Sequence, residues 1–225
     1  MLSLALLAGG CGDDEDGVTR PERAGGCLQE GDGIRRVEFG GVPAAVAGEG
    51  PLGIVALNGV GGSMCQWEGY ARELAEQGAR VLMFDYVDEP VPEALAAERW
   101  LREDGASQVV LMGTSLGGGV AVRAGARGDP AAIVTLSAVN EPGGPLGNIV
   151  RAARRLRAPA LHVGSREDGF TYFARDTRRL HAATGSEVNE RILVPGGDHG
   201  VDILEADGGD DVKAAIHAFL RTAIP

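Results

Sequence analysis

The chain has 225 residues, 44% apolar and 24% charged, a composition that suits one globular domain with a real core. Its formal charge of −11 argues against a nucleic-acid binder, because phosphate contacts need clustered Lys and Arg. Aromatics at 4% argue against a stacking platform for sugars or bases.

The first eleven residues, MLSLALLAGGC, are apolar and small. They fall short of the ~20 apolar residues of a membrane-spanning helix and read as a secretory signal. Leu7-Ala8-Gly9-Gly10-Cys11 resembles a bacterial lipobox, with Ala8 where Leu is usual and no Lys or Arg ahead of the apolar run. That resemblance implies lipidation of Cys11, hence an exported lipoprotein that meets the membrane only through its anchor. The alternative is a frayed apolar N-terminus. Residues 12–33, rich in Gly and acid, read as a flexible tether too polar to pack. Past the signal only Cys27 and Cys65 remain, which in an exported protein invites a disulfide; free buried thiols are the alternative.

From residue 34 to 225 short apolar runs alternate with helical patterns. Val37-Glu38-Phe39 and Ala44-Ala45-Val46 predict a leading hairpin. Gly53 to Leu57 (GIVAL) is continuously apolar, as a strand buried on both faces should be. Ser63 opens a helix, with Gln66 completing a capping box and Gly78 closing it. Strands follow at Arg80 to Tyr86, Gln108 to Met112, Ala132 to Leu136, Ala160 to Val163 and Arg191 to Val194. Helices are predicted over Pro92 to Asp104, Leu116 to Arg127 and Phe170 to Thr184. The last helix places Val212, Ala215, Ile216, Phe219 and Leu220 on one face. Alternating strand and helix implies an α/β fold with a mostly parallel sheet covered on both faces. In such sheets ligands sit outside the carboxyl ends of the strands, so the loops after GIVAL, QVVLM, ALHV and RILV should converge.

The loop after QVVLM reads Gly113-Thr114-Ser115-Leu116-Gly117, a G-x-S-x-G. With 36 Gly and 7 Ser, about 0.2 matches are expected by chance, so the motif alone is weak. Its place at a strand–helix junction is what a nucleophile elbow requires. A serine hydroxyl needs a base. Of the four histidines, His162 lies in a strand, His181 and His217 lie on helices, and only His199 lies in a loop at a strand's carboxyl end. The loop after ALHV offers two adjacent acids, Glu167 and Asp168, to orient that histidine. Asp168, which precedes Gly169, is the choice and Glu167 the alternative. The oxyanion hole is expected from Leu116 N–H and an amide of Asn58-Gly59-Val60-Gly61-Gly62, with Val60 preferred and Gly61 the alternative. No phosphate-loop motif and no metal-ligand spacing occurs, so no cofactor and no metal are expected.

With LNGVGGSMCQW, YARELAEQGARVLMFDY, LMGTSLGGG, HVGSREDGF and VPGGDHG in this order, the chain from 34 to 225 resembles the α/β-hydrolase superfamily. It is most similar there to the dienelactone-hydrolase-like and lipase-like serine hydrolases found among bacterial lipoproteins. Asn58 stands where that family usually has histidine, and Ser115 disfavours the cysteine and aspartate nucleophiles of its other branches. The resemblance implies a serine esterase acting on a small-molecule ester through an acyl-enzyme. Acyl transfer or peptide cleavage by the same residues, and a non-catalytic surface lipoprotein that binds a partner, are the alternatives. Between Val139 and Ala158, where relatives insert a lid, the chain holds about one helix, so no cap domain is expected. Arg151, Arg154, Arg155 and Arg157 there read as a solvated helix face.

Overall fold

The computed structural model describes residues 33–169 and 172–224. The expected signal, nearly all of the expected tether, Cys11, Cys27 and the predicted helix start at Phe170 lie outside the described residues. The chain opens with a hairpin of β1 (Ile34–Phe39) and β2 (Val42–Ala47), followed by β3 (Leu52–Leu57). A 3₁₀ turn (Met64–Trp67) leads into α1 (Glu68–Glu76), then β4 (Ala79–Phe84), α2 (Pro90–Glu103), β5 (Gln108–Thr114) and α3 (Leu116–Gly125). After these come β6 (Ala132–Leu136), α4 (Ile149–Ala153), β7 (Ala160–Ser165), α5 (Tyr172–Ala183) and β8 (Asn189–Val194). A second 3₁₀ turn (Gly200–Leu204) and α6 (Gly209–Ala223) close the fold.

The eight strands of the described residues join one sheet in the order β1-β2-β4-β3-β5-β6-β7-β8. β2 is antiparallel to β1 and β4, and every pairing from β4 across to β8 is parallel. Successive residues of the central strands enter opposite cores, as the strand period of two demands. Ile54 and Ala56 pack with Leu74 of α1 and Val212, Ile216 and Phe219 of α6. Val55 and Leu57 pack with Leu101 of α2, Val120 and Val122 of α3, and Ile149 of α4. Between β6 and β7 the chain adds only α4, so this connection builds no cap layer over the sheet. Arg151, Arg154, Arg155 and Arg157 are all exposed.

One local expectation is overturned. Ser63 Oγ does cap, accepting Cys65 N–H at 3.3 Å, but Gln66 does not complete a capping box. Its Oε1 accepts Gly59 N–H instead, at 3.2 Å, and Gln66 N–H donates to Ser63 O at 3.0 Å. That three-residue closure makes the first turn 3₁₀, and the α-helix begins only at Glu68. The demand of a glycine loop for an acceptor outweighs the local cap.

His162 of β7 is fully buried between two threonines. Thr184 Oγ1 gives its proton to Leu180 O at 2.9 Å, so at 2.9 Å it accepts from His162 Nε2–H. The Nδ1 atom then accepts from Thr135 Oγ1 at 3.0 Å. Burial, aided by nearby His181, pushes this imidazole down to about 3. An unfolded histidine takes up its proton near 6.5, so below that pH the unfolded chain binds a proton that the folded chain refuses. Stability is therefore complete above about 6.5 and declines as pH falls toward about 3, at up to ~1.4 kcal/mol per pH unit. Denaturant unfolding of the native protein and His162→Gln at pH 7, 6, 5 and 4 should show this slope in the native chain and a shallower one in the variant. Equal slopes would remove His162 as the cause.

Candidate active site

β5 ends at Thr114 and α3 begins at Leu116, leaving Ser115 alone to turn the chain. Its backbone sits at φ 52 and ψ −114, a region that costs a non-glycine residue roughly 1–3 kcal/mol. Hydrogen bonds hold it there: Ser115 N–H donates to Leu136 O at 2.8 Å, and Ser115 O accepts Gly119 N–H at 3.3 Å. The flanking glycines are required by space. A Cβ on Gly117 would overlap the Leu57 carbonyl, and one on Gly113 would overlap the Gly117 carbonyl. α3 can thus lie against β3 and β5 more closely than any side chain would permit, and the Ser115 side chain stands at the carboxyl end of the sheet.

The loop after β3 faces this turn. A Cβ on Gly59 would lie 3.3 Å from Ser115 Cβ. Gly59 N–H is taken by Gln66, and Gly62 N–H closes a turn onto Gly59 O at 3.2 Å. The amides of Val60 and Gly61 have no hydrogen-bond partner among the described residues. Leu116 is the first residue of α3, so its amide is one of the four that a helix start leaves unbonded. Asn58 is buried and anchors the loop, donating to Phe84 O at 2.9 Å and to Asp85 Oδ1 at 3.1 Å. Asp85 Oδ1 also accepts Met64 N–H at 2.6 Å. Burial pushes the Asp85 carboxyl up from its ordinary value, against the pull of these hydrogen bonds. Asn58 thus fastens the loop to the end of β4.

His199 and Asp168 meet. Asp168 is 2% exposed, and its Oδ2 accepts from His199 Nδ1 at 2.8 Å. A carboxylate only accepts, so Nδ1 carries the proton and Nε2 keeps its lone pair. Glu167 is exposed and contributes its backbone N–H to Gly196 O at 3.0 Å. The loop bearing His199 runs beside the serine turn, for a Cβ on Gly200 would lie 4.0 Å from Ser115 N. The other histidines stand apart from this pair: His162 is locked between threonines, and His217 stacks on Tyr70 at 6.1 Å.

Sequence reasoning missed four residues that shape this site. Phe173 of α5 packs on the His199 ring, with centroids 4.3 Å apart. Thr114, Ser137 and Ser165 bond the chain on either side of His199: Oγ1 of Thr114 accepts Val201 N–H at 3.0 Å, and Oγ of Ser137 accepts Gly200 N–H at 3.0 Å. Ser165 Oγ donates to Asp198 O at 2.6 Å. The available signal was a small hydroxyl residue ending each apolar strand, as in LMGT, VTLS and HVGS. Among the described residues no cluster of His, Cys, Asp and Glu could hold a metal ion. Cys65 is the one cysteine among the described residues, and Cys11 and Cys27 lie outside them.

A family model described as alpha/beta hydrolase family matches residues 54–216. No curated protein matches the chain. Among solved structures, EstE5, soaked with p-nitrophenyl butyrate, superposes with a TM-score of 0.70 at 19% identity, with 87% of each chain covered. A Pyrococcus furiosus esterase superposes at 0.69 and 14% identity, covering 84% of this chain and 89% of its own. The monoacylglycerol lipase of Paleococcus ferrophilus gives 0.68 at 18%, covering 83% of this chain and 100% of its own. At these identities the likeness is one of fold.

The close approach of α3 to β3 can be tested directly. Gly117→Ala places a methyl group on the Leu57 and Asn58 carbonyls, an overpacking that should cost about 3 kcal/mol or more. The thermal midpoint should then fall by about 6–12 °C. A midpoint within about 2 °C of native would show that the elbow has room to relax.

Proposed function

The chain belongs to the alpha/beta hydrolase family, and within it we propose a serine hydrolase that cleaves carboxylic esters of small molecules through an acyl-enzyme. One observation carries the reading: the His199–Asp168 hydrogen bond of 2.8 Å, standing beside a serine held at φ 52 between strand and helix. Ser115 Oγ attacks the ester carbonyl carbon while His199 Nε2 takes its proton. Asp168 holds the ring in the required tautomer and stabilises the imidazolium. The carbonyl oxygen, now negative, is received by Leu116 N–H and by Val60 N–H, whose peptide follows Gly59 where that residue packs on Ser115. The intermediate collapses, the alcohol leaves with the proton from His199, and water then repeats the sequence to release the acid. Nothing in this scheme calls on a cofactor.

The absence of a cap layer between β6 and β7 supports an open site, and Val60 at its edge is 76% exposed. A fluorophosphonate probe should label the native protein and leave Ser115→Ala unlabelled. On p-nitrophenyl esters of rising acyl length, Ser115→Ala and His199→Ala should each lose most turnover, on the order of 10⁶-fold in well-studied triads. Asp168→Asn should cost roughly 10⁴-fold and Glu167→Gln less than about tenfold. More than a tenth of native turnover in Ser115→Ala overturns the proposal.

The proposal includes export, with lipid on Cys11 and a bridge between Cys65 and Cys27. It draws on the lipobox-like sequence and on the placing of Cys65 beside the loop that carries Val60. Intact mass of protein exported by a bacterial host, after thiol blocking, should show an acylated N-terminus and no alkylation until reductant is added. An alkylated Cys27 in unreduced protein removes the bridge, and an unmodified Cys11 removes the anchor.

A further inference from the structure

The three hydroxyls beside His199 come from β5, β7 and the residue following β6, and these strands are consecutive in the sheet. They bond Asp198 O, Gly200 N–H and Val201 N–H, so the main chain is tied down on both sides of the histidine. Ser137 differs from the other two in also touching the acid. Its oxygen already accepts Gly200 N–H, and its own proton goes to Asp168 Oδ2 at 3.0 Å. That is the oxygen which receives His199 Nδ1–H at 2.8 Å. One hydroxyl therefore spans the acid and the backbone next to the base.

Burial makes this bridge consequential. Ser137 is 0% exposed and Asp168 2%, so water is in no position to replace a missing donor. The backbone at Ser137 points the same way. It sits at φ 49, in the left-handed region where glycine or asparagine would rest more easily. Its N–H is bonded to Val163 O at 2.8 Å, which holds that conformation against the neighbouring strand. A strained, wholly buried serine is kept only where the surrounding structure over-determines it, and here the strain aims the hydroxyl.

We infer that Ser137 is a positioning residue for the Asp168–His199 pair: it fixes the carboxylate rotamer and the His199 loop together, so that Nε2 is presented to Ser115. This rests on the proposed acid–base reading of the pair. Removing the hydroxyl frees the carboxylate to rotate and the Gly200 amide to move. A misplacement of about 1 Å in catalytic geometry can cost on the order of 10²-fold in rate.

The test compares Ser137→Ala with Ser137→Gly. Both lose the hydroxyl, but the glycine also relieves the left-handed strain, so its fold does not carry that penalty. Both should lose about 10- to 10²-fold in kcat on p-nitrophenyl butyrate with KM within about threefold of native. In both, the downfield proton resonance of His199 Nδ1–H, assigned by its absence in His199→Ala, should broaden away in cold buffer. A kcat within about threefold of native in either folded variant, a loss carried by KM, or an unchanged resonance overturns the assignment. If the native protein hydrolyses none of the esters, the proposed function has failed and the resonance alone decides the role of Ser137.

Discussion

A carboxylate buried to 2% exposure sets the terms for the whole carboxyl edge of this sheet. An ionised Asp168 away from water is costly unless donors meet it, and its Oδ2 finds two, from His199 and Ser137. These donors arrive from the loop after β8 and from the end of β6, while Asp168 itself follows β7. Satisfying one group therefore requires three loops to end at one place. The parallel alignment of β6, β7 and β8 makes that possible, because it brings their carboxyl ends to the same edge.

The serine turn stores the opposite kind of tension. There the chain is forced into positive φ and packed with a helix so close that glycine is the only fit at Gly117. The sheet core supports this: Leu57 and Val120 are fully buried around it. Strain at the edge is sustained by burial beneath it, the usual relation between a functional site and its scaffold. The loop after β3 is held by a separate set of bonds, in which Asn58 joins it to the end of β4 and Gln66 takes its first glycine amide. The amides of Val60 and Gly61 are left over, and the proposed chemistry uses the first of them, together with that of Leu116.

Mechanism and specificity have different physical sources in such a site. A serine, an imidazole with a fixed tautomer and two free amides define how a carbonyl is attacked and how its charge is received. They say nothing about the groups on either side of that carbonyl. In the proposed reaction those groups fall to the surface around the turn, where α4 is the single helix added between β6 and β7 and where Val60, in the loop after β3, stands exposed. A likeness of fold to esterases and lipases at 14–19% identity carries the scaffold across and leaves the substrate to be measured.

Most of the fold was legible in the sequence because its strands are buried on both faces. GIVAL, QVVLM and AIVTL have no polar side to show, and that is the mark of a central parallel strand. The position of GTSLG at a strand–helix junction and of His199 in a loop singled out these two residues, since the strand order sends such loops to one edge. What could not be read was whatever depends on contact across the sheet. Glu167 and Asp168 are neighbours in an irregular loop, and only the tertiary structure turns Asp168 inward to His199 and leaves Glu167 in solvent. The capping box at Ser63 failed because Gln66 reaches Gly59, beyond the local pattern that predicted it. The hydroxyls of Thr114, Ser137 and Ser165 bond partners 87, 63 and 33 residues away. Periodicity reports which face of an element is buried, a local property written in one dimension. A hydrogen bond between strand ends depends on the order and register of the strands, and that exists only once the chain has folded.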